Sequence, residues 1–213
     1  MLVFNTDKTW FCSGLATEAA KNIHAELEKA EQNNNHAEAT RLFQKVKKYM
    51  KKRINENYFS PIEKFLKHSS GSEIRANSAF ITMGINGILI ELLYEIQNGY
   101  DESKDGGTVG KAYETVLPLL DSNITADLAG KFYRGIRCGI VHQGQTKEKT
   151  ALTYELDAVI ELNGEYYVSN PETVFHKLKK LYKEYWREIS ELSYSDDKSK
   201  KLIAKFGHIL THI

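Results

Sequence analysis

Residues 77–99, NSAFITMGINGILIELLYEIQNG, are apolar on most sides when they are drawn as a helix, and this feature constrains the fold most. A helix that is hydrophobic all round must be buried, in the core of a soluble protein or in a membrane. Asn86, Glu91 and Glu95 interrupt the run and make it too polar for a membrane span. We therefore predict a central core helix. Glu91, in this apolar setting, is expected to be a boundary residue or a paired acid, and a buried carboxylate near a basic site would point to function.

Helical spacing of apolar residues continues through much of the chain, and only three prolines occur in 213 residues. Residues 14–56 predict a helical hairpin that breaks at the three asparagines 33–35. A further helix is predicted to end near Gly144. A single domain is expected, in which residues 75–150 form the core.

The pattern changes after residue 150, where β-branched and aromatic residues surround Asn163-Gly164. That dipeptide between two strand-like runs predicts a β-hairpin over residues 151–168. Asn170 and Pro171 then give an N-cap and a first helical residue for the C-terminal helices, residues 171–213. The last of these helices is expected to be loosely attached. The predicted fold class is mainly α with a small β-hairpin.

Charge and cysteine content exclude several classes of protein. The 29 Lys and Arg residues nearly balance the 28 Asp and Glu residues, so any contact with nucleic acid must come from a local patch. Cys12 and Cys138 are too far apart for a disulfide framework or a zinc ribbon, which favours the reducing cytoplasm. His208 and His212 have the spacing of metal ligands, but no third ligand is evident, and we predict neither a metal nor a cofactor.

Arg137 and His142 are the residues best suited to chemistry. His142 can take or give a proton near neutral pH, and Arg137 can hold a phosphate through a bidentate fork. Together they suffice for metal-independent RNA cleavage, in which the 2′-OH attacks the neighbouring phosphate. Five residues on a helix leave the two side chains ~140° apart, although the Arg side chain is long. Gly139 is expected to leave room between them for a ligand or a partner helix.

The segment FYRGIRCGIVHQGQT closely resembles the motif helix of HEPN domains, the "higher eukaryotes and prokaryotes nucleotide-binding" superfamily. The resemblance covers about residues 75–150, and Arg137 and His142 match the two signature positions. It implies a helical bundle that dimerises with the two motif helices facing each other, so that two Arg and two His line one cleft. Many such proteins are ribonucleases in toxin–antitoxin, abortive-infection or CRISPR-linked defence, and others only bind RNA, nucleotides or proteins. Cys138 stands where active members often have Asn, which puts catalysis in question.

Further residues are candidates for RNA binding. Arg134 and Gln143 flank the motif on the same helix, and each can contact a phosphate or a base or simply face solvent. The second helix of the N-terminal hairpin carries a basic face that would extend the RNA track if it packed beside the motif helix, formed by Lys47, Lys48 and Lys51. A solvated helix face is the competing interpretation.

Three hypotheses follow. The first is a metal-independent endoribonuclease, a homodimer with a possible cognate antitoxin. The second is a non-catalytic dimeric module of the same fold that binds RNA, nucleotide or protein. The third is a helical scaffold in which the Arg–His pair arises by chance.

Overall fold

The structure is a computed structural model that describes residues 9–69 and 73–213. It is mainly helical with a small β element, which confirms the predicted fold class. The α-helices are α1 (Thr17–Gln32), α2 (His36–Ile54), α3 (Ser60–Ser69), α4 (Glu73–Asn98), α5 (Val109–Leu120), α6 (Ala126–Lys131), α7 (Cys138–Gln143), α8 (Pro171–Glu191) and α9 (Asp197–Thr211). The strands are β1 (Trp10–Cys12), β2 (Leu15–Ala16), β3 (Thr150–Leu152), β4 (Glu161–Asn163) and β5 (Tyr166–Ser169). Two π-helical turns, Asn55–Phe59 and Phe132–Arg137, and a 3₁₀ turn, Ser103–Gly106, complete the described elements.

Contacts divide the described chain into two compact units. The first contains residues 9–60, 95–101 and 185–213, and the second contains residues 61–69, 73–94 and 102–184.

In the first unit, α1 and α2 form the predicted helical hairpin, and α9 packs against both of them. The expectation that the last helix is loosely attached is wrong. Phe206 of α9 is fully buried, with its ring 5.1 Å from that of Phe11. Lys205 Nζ lies 2.7 Å from a carboxylate oxygen of Glu95, and both side chains are buried or nearly so. A single apolar stripe on α9 was too weak a signal to predict these long-range contacts.

In the second unit, α4 has the predicted central position, because Leu89, Ile90 and Leu93 are completely buried. Its segment Ser78–Asn98 is long and apolar enough to cross a membrane, but 56% of that window lies inside the protein. This burial fits the predicted core helix. Gly99, with φ +73°, directly follows the end of α4.

The β element of the second unit has the strand order β3-β5-β4. The predicted hairpin forms between β4 and β5, with Gly164 at φ +60° in its turn. It is shorter than predicted, because the strands cover three and four residues. β3 pairs with β5 in parallel, which the sequence pattern did not reveal. Asn170 Oδ1 then accepts from the backbone N–H groups of Glu172 and Thr173, as predicted for the N-cap of α8.

Candidate functional site

The Arg–His motif lies on one continuous helix, residues 126–143, which we call the motif helix. It consists of α6, the π-helical turn Phe132–Arg137 and α7. Thr125 caps its start through a 3.3 Å bond from Leu128 N to its hydroxyl, and Gly144 at φ +68° follows its end, as predicted for Gly144. The π-helical turn was not predicted. Such turns are rare and concentrate at functional sites, and Arg137 is its last residue.

The backbone of the motif helix is covered by the chain that follows it. A Cβ on Gly139 would lie 2.4 Å from the carbonyl oxygen of Gln145. A Cβ on Gly135 would lie 2.3 Å from Thr150 Cγ2, and the carbonyl oxygen of Gly135 accepts from Lys147 N at 2.9 Å. The expectation that Gly139 leaves room for a ligand or a partner helix is therefore wrong. The glycines instead allow residues 145–150 to pack on the helix.

Arg137 points towards α4 and forms a bidentate ion pair with Glu91. Its Nε donates to Glu91 Oε1 at 2.9 Å, and its Nη2 donates to Oε2 at 3.2 Å. The two side chains are only 21% and 18% exposed. Burial disfavours the charged guanidinium, but the hydrogen bonds and charge of Glu91 outweigh it, so the pKa of Arg137 is raised. The interpretation of Glu91 as a paired acid beside a basic group is confirmed.

Tyr113 of α5 completes this buried polar group. Its hydroxyl donates to Glu91 Oε1 at 2.8 Å and lies 3.3 Å from the carbonyl oxygen of Gly87. The residue is completely buried, and burial together with the charge of Glu91 raises the pKa of Tyr113 well above its usual value. Nothing in the sequence identified Tyr113, because no local motif connects it with Glu91 or Arg137.

His142 lies in the last turn of the motif helix and is exposed to solvent. Among the described residues, no hydrogen bond or ion pair joins it to Arg137. Within one chain, Arg137 therefore contacts Glu91 of α4, whereas His142 is exposed to solvent.

Cys138 follows Arg137 and is a half-buried free thiol. Burial and a hydrogen bond with Cys138 raise the pKa of Tyr133. The Tyr133 ring in turn lies 5.2 Å from that of Tyr113. Cys138 is thus linked through Tyr133 to the aromatic cluster beside the Arg137 ion pair.

Arg134 and Gln143 are both exposed on the motif helix, so both are accessible to RNA. Arg134 Nε lies 3.7 Å from Glu148 Oε2, with both side chains 53% exposed, so this pair contributes little stability. The role of Arg134 and Gln143 in RNA binding stays a prediction.

The predicted lysines on α2 belong to the other compact unit. Lys47 is 8% exposed, its Nζ lies 3.4 Å from the carbonyl oxygens of Ile189 and Ser190, and burial lowers its pKa. The expectation that Lys47 contacts RNA is corrected, since its ammonium group is used in packing. Lys48 and Lys51 are exposed, and their role stays a prediction.

An apolar surface lies beside Arg137. Ile81 and Ile88 are 57% and 45% exposed, and their spacing of seven residues puts them on the same face of α4. Val141 of the motif helix is 56% exposed and lines, with Ile88, Glu91 and Arg137, a small cavity of about 50 Å³. We call Ile81, Ile88 and Val141 the exposed apolar face. Gly84 and Gly87 of α4 allow the close approach of the motif helix, with Gly84 facing Ile140 and Gly87 facing Tyr113 and Arg137.

The remaining candidates have structural roles. His212 Nε2 lies 3.0 Å from Asp101 Oδ1, and in the described part of the chain no cluster of three His, Cys, Asp or Glu residues could hold a metal. The aromatic residues of α8 are buried and therefore not accessible for stacking on bases: Tyr182, Tyr185 and Trp186.

No protein-family model matches this chain, and no curated protein or solved structure is significantly similar to it. The chemistry of the site therefore has to be inferred from its own residues. The site offers an oriented guanidinium, a solvent-exposed imidazole on the same helix and an apolar surface next to the guanidinium.

Proposed function

We propose that this protein is a metal-independent endoribonuclease of the HEPN type. The observation that supports this most is the state of Arg137. Its guanidinium is held by Glu91 at the edge of a small cavity, through hydrogen bonds from Nε and Nη2. An arginine that is fixed before substrate binds can stabilise phosphate charge without first losing side-chain entropy.

In the proposed reaction, the 2′-oxygen attacks the adjacent phosphorus and the P–O5′ bond breaks, which yields a 2′,3′-cyclic phosphate and a 5′-hydroxyl. The 2′-OH loses a proton and the departing 5′-oxygen gains one; His142 carries out one of these transfers, as base or as acid, and water carries out the other. Arg137 stabilises the negative charge that develops on the phosphorane oxygens. Arg134 and Gln143, both exposed, bind the neighbouring nucleotides.

The active form in this proposal is a homodimer that buries the exposed apolar face. A second copy would cover Ile81, Ile88 and Val141, which water otherwise surrounds. The face adjoins Arg137, so a dimer through it would bring two motif helices together. This would place the His142 of each chain near a cleft that holds both Arg137 side chains.

A non-catalytic dimeric module that binds RNA, nucleotide or protein is the second candidate. Two contacts favour this candidate. Arg137 already donates from two of its nitrogens to Glu91, and the Cys138 thiol already hydrogen-bonds Tyr133. Such a protein would use the same face and the same arginine without turnover. We further propose a cytoplasmic protein of a defence or toxin–antitoxin system, for which a cognate antitoxin is the expected partner.

The deciding experiment is cleavage of a single-stranded RNA in excess EDTA by the wild type, Arg137→Lys and His142→Ala. The lysine variant is preferred because it keeps a positive charge beside Glu91 while it removes the fork. We expect cleavage by the wild type to survive chelation and to fall by about two to four orders of magnitude in either variant.

His176→Ala serves as the matched control, because His176 is exposed on α8 and its neighbour is Glu172 of the same helix. It should cleave like the wild type. Absence of cleavage by a folded, dimeric wild type would reject the nuclease, and RNA binding that depends on Arg137 would then select the non-catalytic module.

A further inference from the structure

Arg137 does not hold its orientation through Glu91 alone. The carboxylate oxygen that accepts from Arg137 Nε, Glu91 Oε1, also accepts from the Tyr113 hydroxyl at 2.8 Å. One oxygen therefore joins α5 to the motif helix through a side chain of α4. A carboxylate on the flexible Glu side chain rotates easily about its last bond, and a second donor restricts that rotation.

The position of the Tyr113 hydroxyl is itself fixed. Its ring lies 5.8 Å from the ring of Phe132 and 5.2 Å from that of Tyr133, and both of those residues belong to the π-helical turn that ends at Arg137. A Cβ on Gly87 would approach the hydroxyl to 3.1 Å, so glycine is the residue that leaves space for it. Because the residue is completely buried, water does not replace this donor in the folded chain.

We propose that Tyr113 is a positioning residue for Arg137: its hydroxyl fixes the Glu91 carboxylate, which fixes the plane of the guanidinium at the edge of the cavity. Tyr113 touches no substrate in this scheme. Its effect on catalysis rests on the nuclease function proposed above, whereas its effect on the Arg137 side chain does not.

The test is hydrogen exchange at Arg137 Nε, measured by ¹H–¹⁵N NMR and assigned by the loss of the signal in Arg137→Lys. Tyr113→Phe keeps the ring and removes the hydroxyl. Since a hydrogen bond to a charged group is lost at the carboxylate, we expect exchange at Nε to become about tenfold faster. The kcat of RNA cleavage should fall about tenfold with little change in KM, because Arg137 stabilises the phosphorane charge, which develops only in the transition state.

Tyr133→Phe is the matched control, because its ring belongs to the same cluster and its hydroxyl bonds to Cys138 instead of Glu91. It should leave exchange at Arg137 Nε unchanged. Gly87→Ala is a second variant, expected to act like Tyr113→Phe because the added methyl displaces the hydroxyl.

Exchange at Arg137 Nε that is the same in Tyr113→Phe as in the wild type overturns the inference, whether or not the protein cleaves RNA. If the wild type cleaves no RNA but exchange accelerates in Tyr113→Phe and not in Tyr133→Phe, the nuclease proposal fails and the positioning role stands.

Discussion

At the scale of the residue, the charges of Arg137 and Glu91 are stabilised mainly by each other, because only about one-fifth of either side chain is exposed to water. A charge in such a place is stable only while its partner is present. The pair therefore contributes less to stability than its short distances imply, and its main effect is to fix the direction of a functional group. The buried hydroxyl of Tyr113 adds to that effect.

Removing one member of the pair should cost more than removing both. We expect Arg137→Met to lower the free energy of unfolding by about 3 kcal/mol, because it leaves the Glu91 carboxylate largely buried and unpaired. The double variant Glu91→Leu/Arg137→Met should recover most of this loss, since two apolar side chains of similar size replace the ions. Urea denaturation checks both values. Equal destabilisation by the single and double variants would show that the pair is better solvated than its burial indicates.

At the scale of the element, the motif helix depends on the segment that follows it and packs on it as well as on its own sequence. Residues 145–150 lie on the glycine side of the helix, and within them Glu148 and Lys149 have φ values of +55° and +53°. Two successive non-glycine residues in this region are unfavourable, and contacts with the helix have to compensate for them. The bond from Lys147 N to the carbonyl oxygen of Gly135 is one such contact.

Two glycines of this helix should respond to alanine in opposite ways. Gly139→Ala should lower the free energy of unfolding by about 1–3 kcal/mol, because its methyl group would overlap the backbone of Gln145. Gly130→Ala meets only the flexible end of the Arg134 side chain and should be neutral or stabilising by up to about 1 kcal/mol. Thermal and urea unfolding of both variants provide the comparison. A stable Gly139→Ala would mean that residues 145–150 do not pack on the helix as described.

At the scale of the whole molecule, the exposed apolar face is the feature that a single chain leaves unexplained. Isolated apolar residues on a surface are normal, but Ile81 and Ile88 share one helix face, and Ile88 and Val141 line one cavity beside Arg137. Covering this face with a second chain would complete the proposed site.

The oligomeric state tests this arrangement directly. We expect the wild type to be a dimer in analytical ultracentrifugation at micromolar concentration, and Val141→Asp to be a monomer, because a buried unpaired carboxylate opposes association. Leu162→Asp is the control, since Leu162 is 60% exposed on β4, and it should remain a dimer. A monomeric wild type, or a dimeric Val141→Asp, would exclude dimerisation through this face.

The sequence by itself determined the elements whose signals are local. Apolar spacing predicted the helices, Asn163-Gly164 predicted the hairpin, and the cap at Asn170 predicted where α8 begins, because each depends on neighbours a few residues away. It also selected Arg137 and His142, because their chemistry and spacing can be read directly from the chain. Glu91 was noted only for its apolar surroundings, with its partner left open.

Only the tertiary structure decided which groups meet. The contacts of Arg137 with Glu91 and of Glu91 with Tyr113 join residues that are 46 and 22 positions apart, and no periodic pattern encodes such pairs. The same holds for the burial of Lys47, the covering of Gly139 and the firm packing of α9. Each depends on how helices pack over long sequence separations, where the shapes and burial of the whole fold outweigh local preference.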